Sequence, residues 1–116
     1  MTFSLLRPDD IDVPIVMPRG LLRVVEQNLV DLTPWHMTPR EVALKRLHGL
    51  RQRYAIKYVP FAHRQDNDDL AVVAPEKPHR VIVIHDFATE GAEVVAEFPS
   101  FWDWFRAVIE DMISFE

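Results

Sequence analysis

Five histidines and eighteen acidic side chains make up the groups in this 116-residue chain that could hold a metal or move a proton. His63 follows one apolar run, and His85 with Asp86 ends another. Pairing of those two runs would bring two imidazoles near a carboxylate, the donor set of a metal-dependent hydrolase. The spacing itself is less favourable. There is no H-x-x-x-H or H-E-x-x-H pattern. His79 and His85 share a strand but stand roughly 20 Å apart along it. His85 and Asp86 are adjacent, so a regular strand sends them to opposite faces. Their other role is to satisfy backbone groups at a sheet end.

Asp66-Asn67-Asp68-Asp69 begins like a calcium loop, but the sixth and twelfth positions are Ala71 and Lys77, where such a loop uses glycine and glutamate. The cluster suits a polar turn, because Asn and Asp bond their own backbone there. It also suits a negative surface facing a partner. No G-x-S-x-G elbow surrounds Ser100. There is no cysteine, hence no thiolate nucleophile, disulfide or cysteine-bound zinc. Three glycines are too few and too scattered for a phosphate-binding loop. No cofactor is expected. Trp35, Trp102 and Trp104 are a large aromatic stock, mainly core material. Trp35 and Trp104 are also candidate interface anchors, since tryptophan is enriched at binding hot spots; Trp104, between the apolar and polar sides of its helix, is the preferred exposed one.

These residues need elements to position them. Prolines 8 and 14 leave residues 1–17 an extended arm. Pro18 suits the first turn of a helix over 18–30, with Leu21, Leu22, Val25 and Leu29 on one stripe. Residues 31–37 read as a connection. Thr38 and Glu41 spell a capping box around Pro39 and start a helix that runs to Arg53. Its buried stripe is Ala43, Leu47, Leu50 and Tyr54, and Gly49 weakens it by about 1 kcal/mol relative to alanine. Apolar runs at 57–62, 70–74 and 80–86, with a shorter one at 93–97, read as an antiparallel meander, because the turns between them are too short for crossover helices. The run at 80–86 is apolar on both faces and belongs at the sheet centre. Ser100 caps a last helix over 101–114 whose stripe is Phe101, Phe105, Val108, Ile109 and Met112.

Helix, helix, strands, helix is the order of an α+β domain, a mostly antiparallel sheet flanked by helices in a single packed layer. The net charge is −5, which argues against a general nucleic-acid binder. It divides unevenly: residues 1–54 carry eight basic and six acidic side chains, and residues 55–116 carry five basic and twelve acidic. Arg40, Lys45, Arg46, Arg51 and Arg53 lie on the second helix, either as a solvated face or as a basic docking surface. No apolar run is long enough to cross a membrane. The N-terminus lacks the features of a signal peptide, and a cytoplasmic location is expected.

Val59-Pro60-Phe61-Ala62, the acidic loop after it, Val81-Ile82-Val83-Ile84-His85-Asp86-Phe87, and Phe98-Pro99-Ser100-Phe101-Trp102-Asp103-Trp104-Phe105 occur in an order that resembles the SUKH superfamily. Leu21-Leu22-Arg23-Val24-Val25-Glu26 and Pro34-Trp35-His36 extend the likeness over residues 18–116. The family's usual glycine-rich loop is here Asp66-Asn67-Asp68-Asp69. The best-known members are the yeast regulator of cell-wall glucan synthesis and bacterial toxin-immunity proteins. The resemblance implies an α+β, non-enzymatic protein-binding module; from charge and hydropathy no nucleic-acid or membrane partner is expected, and the chain is expected to be a monomer or weak homodimer. The expected binding face combines Trp35, His63, Asp66, Asn67, Asp68, Asp69, His85, Asp86, Glu90 and Trp104, and the expected partner is a basic protein such as a toxin domain. The alternatives are the hydrolase using His63, His85 and Asp86, and a domain that self-associates through the aromatic face of the last helix.

Overall fold

A computed structural model describes residues 3–115; the first two residues of the expected arm lie outside that range. The rest of the arm, with one short turn at Pro8–Asp10, is packed onto the domain: Leu6 and Met17 are buried in its main core. Two ion pairs fasten it. Asp10 accepts from Arg40 Nε and Nη2, both at 2.8 Å, and Asp12 accepts from Arg51 Nε and Nη2, both at 2.6 Å. Two arginines of the expected basic face are therefore spent inside the molecule.

Helix α1 spans Arg19–Glu26, shorter than the periodicity suggests, with Pro18 at its N-cap rather than in its first turn. Asn28 ends it by taking φ 60°. The amides of Asn28 and Leu29 then turn back to the carbonyls of Val25 and Val24, a Schellman stop. The segment expected to be a simple connection is instead a hairpin, β1 (Asp31–Leu32) and β2 (Trp35–Met37).

Helix α2 spans Arg40–Arg53 and buries Ala43, Leu47, Leu50 and Tyr54, the stripe read from spacing. Its capping box does not form. Pro39 holds the N-cap, and Thr38 is drawn into the sheet: its amide donates to the Phe61 carbonyl, and its hydroxyl meets His63 Nδ1 at 2.8 Å. A buried threonine has to satisfy both of its polar groups, and the strand beside it offers partners that the helix start does not.

Strands β3 (Val59–Arg64), β4 (Asp69–Ala74), β5 (Lys77–His85) and β6 (Val94–Phe98) complete a six-stranded antiparallel sheet in the order β1-β2-β3-β4-β5-β6. β5 lies one strand from the edge rather than at the centre, yet both of its faces are covered. Successive side chains point to opposite faces, so Val81 and Val83 join one core and Ile82 and Ile84 the other. Helix α3 (Phe101–Ser114) is capped by Ser100, whose Oγ accepts from the Asp103 amide at 3.2 Å. With α1 it forms the helical layer over the first face, packing Leu21, Phe101, Trp104 and Val108 on Phe61, Val73 and Val81. The end of α2, with Leu50, Tyr54 and Tyr58, covers Leu70, Val72 and Ile84 on the second face. The architecture is α+β, an antiparallel sheet flanked by helices, but with helices on both faces rather than in the single packed layer expected. No helix among the described residues is long and apolar enough to cross a membrane.

Candidate partner-binding site

Strand register decides which of the candidate residues meet. Trp35 lies opposite Arg64, and Asp69 opposite His85. These four point to the α3 side of the sheet, where Asp69 Oδ1 accepts from His85 Nδ1 at 2.8 Å. His36, His63 and Leu70 are also opposite one another, one position along, and point to the α2 side. Asp86 is on that side too, under α2. The sheet itself therefore separates His85 from His63 and Asp86, and the three residues of the hydrolase reading do not share a site. Among the described residues, no three histidine, aspartate or glutamate side chains are placed to hold one metal ion.

On the α2 side the chemistry is structural. Asp86 is 1% exposed and takes a bidentate pair from Arg53, Nε to Oδ1 at 2.8 Å and Nη2 to Oδ2 at 2.6 Å, with Arg46 at 3.4 Å. It also accepts from the Phe87 amide, the one local backbone bond expected of it. Phe87 adopts φ 68° and is 61% exposed, with the Arg53 guanidinium 4.1 Å from its ring centre. Glu90 accepts from the Ala55 amide at 2.6 Å and ties the β5–β6 loop to the end of α2. Buried Glu93 accepts from the Tyr58 hydroxyl at 2.6 Å. Burial and that carboxylate together push the Tyr58 phenol upward. His36 and His63 stack with centroids 5.6 Å apart. Burial, then the charges of His36 and Arg46, hold His63 below its ordinary value.

The α3 side has a different character. A groove of about 160 Å³ runs between α3 and the sheet, lined by Trp35, Arg64, Val95, Phe98, Trp104 and Asp111 among others. Trp35 Nε1 donates to Asp111 Oδ2 at 3.0 Å. Arg64 holds Asp66 through Nε and Nη2, both at 2.9 Å, and reaches Asp111 at 3.5 Å. That pairing lowers the Asp66 carboxyl and raises the guanidinium. Asn67 Oδ1 accepts from the Asp69 amide at 2.8 Å, the turn bond expected of it. Asp68 has no side-chain partner among the described residues. At this corner Asp66, Asp69 and Asp111 lie around a single cation, Arg64, so its carboxylates outnumber its guanidinium three to one.

Trp104 is not the exposed anchor that its helix position suggested. It is 1% exposed, Trp35 is 4% exposed, and the exposed tryptophan is Trp102 at 41%. The helix phase explains this: Phe101, Trp104 and Val108 are the buried row, and Met112, expected in the stripe, is turned outward. Trp35 and Trp104 meet edge to face at 5.5 Å and serve as the groove floor. Sequence reasoning missed Arg64, Asp111 and Phe87. Asp111 had a usable signal, since it follows Trp104 by seven residues and Val108 by three, on the same helix face. Phe87 had none, because its exposure depends on a left-handed backbone in a tight turn.

No protein-family model, curated protein or solved structure significantly matches this chain.

Proposed function

We propose that the chain is a non-enzymatic protein-binding module of the immunity type, acting in the cytoplasm and neutralising a basic partner such as a toxin domain. The observation that carries the reading is the α3-side corner. Three carboxylates, Asp66, Asp69 and Asp111, lie around one arginine there, next to an apolar groove floored by two tryptophans. Clustered negative charge speeds encounter with a basic protein, and an adjoining apolar floor slows its release. The order of motifs shared with the SUKH superfamily supports the immunity assignment.

The experiment uses the full chain as bait against the product of the adjacent open reading frame, followed by binding kinetics on the captured protein. Neutralising Asp66, Asp68 and Asp69 to asparagine is expected to slow association about tenfold at low salt and to flatten its salt dependence. Unchanged kinetics would remove this corner from the interface.

A further inference from the structure

We infer that the β6 edge, with the groove beside it, receives an extended basic segment of the partner as a seventh strand. This deepens, and rests on, the reading of the chain as a protein-binding module. Three observations lead to it. First, β6 ends the sheet, and among the described residues no strand lies along its outer side. An edge of this kind offers a row of free N–H and C=O groups to another chain.

Second, the edge is weakly defended. Exposed sheet edges are normally protected by lysine, proline or a bulge. Val94-Val95-Ala96-Glu97-Phe98 contains neither lysine nor proline, and Val94 and Val95 are 47% and 57% exposed. Its defences are the register shift opposite Val83 and Ile84 and one charge, Glu97, which Lys77 of β5 pairs at 2.9 Å. The other edge strand, β1, is only two residues long.

Third, the charge beside the edge selects the occupant. Val95 and Phe98 of β6 line the same groove as Asp69, Asp111 and Arg64. Alternate side chains of an added strand would face α3. The added strand would lie three strand spacings, about 14 Å, from β4, so a lysine or arginine on it would lay its methylene stem on Val95 and be attracted by Asp69 and Asp111 through space rather than by contact. An acidic segment would meet the same carboxylates as repulsion. A second copy of this chain would offer its own β6, whose only charged side chain is acidic.

A synthetic capped peptide of alternating valine and lysine, and its valine–glutamate counterpart, test this by amide chemical shifts of the labelled full chain. The lysine peptide is expected to move the amides of residues 94–98 and 107–111, less strongly as salt rises. Val95→Lys places a charge on an exposed edge position, and the double change Asp69→Asn with Asp111→Asn keeps the acceptor for Trp35. Each should weaken the lysine peptide about tenfold without altering the unbound spectrum elsewhere. Equal shifts with the glutamate peptide, shifts confined to other surfaces, or no shift at millimolar peptide would overturn the inference. So would concentration-dependent shifts at β6 without peptide, which would assign the edge to a second copy. If the natural partner binds Val95→Lys as tightly as the unaltered chain, the edge is excluded while the protein-binding reading stands. If the lysine peptide binds at β6 but no protein partner is captured, the edge inference holds and the broader reading fails.

Discussion

Gly49 and Arg53 compete for one volume: a Cβ on Gly49 would lie 2.8 Å from both terminal guanidinium nitrogens of Arg53. The glycine lets Arg53 fold back along α2, reach buried Asp86 with two hydrogen bonds, and cover the ring of Phe87. What reads in the sequence as a flaw in a helix is the seat of an ion pair that joins α2 to the end of β5.

Gly49→Ala should therefore fail to deliver the roughly 1 kcal/mol that helix propensity promises and should instead destabilise the fold by about 1 kcal/mol, through displacement of a partly buried pair. In an Arg53→Ala background the sign should reverse, because the space is then open. Denaturant unfolding of the four proteins in the cycle measures both. A gain from Gly49→Ala in the unaltered chain would show that Arg53 relocates at no cost.

Gly20 has a different constraint. Its added Cβ would sit 2.4 Å from Phe101 Cδ2 and 3.0 Å from Trp102, so α1 can approach α3 only without a side chain there. Phe101 is itself held in the core. Gly20→Ala is expected to cost about 1–3 kcal/mol by overpacking. A thermal melt unchanged from the parent would mean that the two helices part freely.

Acid should loosen the N-terminal arm. The hydrogen bonds from Arg40, with help from the Arg7 amide, lower the Asp10 carboxyl to about 2, and Arg51 lowers that of Asp12. Both lie below their ordinary value of 3.8 in the folded chain. Their contribution is thus complete above that value and is lost as pH falls from 3.8 toward 2. Melting temperatures of the parent should drop more steeply across that window than those of a variant carrying Asp10→Asn and Asp12→Asn. Parallel curves would mean that the arm stays docked without the two pairs.

His63 acts in a higher range. It is half-buried, faces Thr38 and Arg46, stacks on His36, and is held below its ordinary 6.5. As pH falls below 6.5, the unfolded chain takes up the proton before the folded one does, so stability declines toward the lowered folded value. His63→Gln keeps a partner for Thr38 and should flatten the stability profile between pH 7 and 5. A slope equal to the parent's would place the dependence on another histidine.

Periodicity alone specified much of this fold: the α2 stripe, the meander, the two-faced apolar strand at 80–86 and the Ser100 cap. Each depends on side chains within a few residues of one another, where 3.6- and 2-residue spacings are readable. Thr38 shows the limit. Its local pattern spells a helix cap, but β3 offered closer partners for both its amide and its hydroxyl, so a long-range contact prevailed. Trp104 shows another limit, because both its neighbours and its burial depend on how α3 is rotated against the sheet. For the site, the sequence by itself determined the supply of acids, histidines and tryptophans and the excess negative charge of the second half. Only the tertiary structure decided their grouping. Strand register put Asp69, His85 and Trp35 on one face and His63 and Asp86 on the other, because moving one residue along a strand changes the face. Arg64 and Asp111, 47 residues apart in the chain, became neighbours only when α3 closed over the sheet.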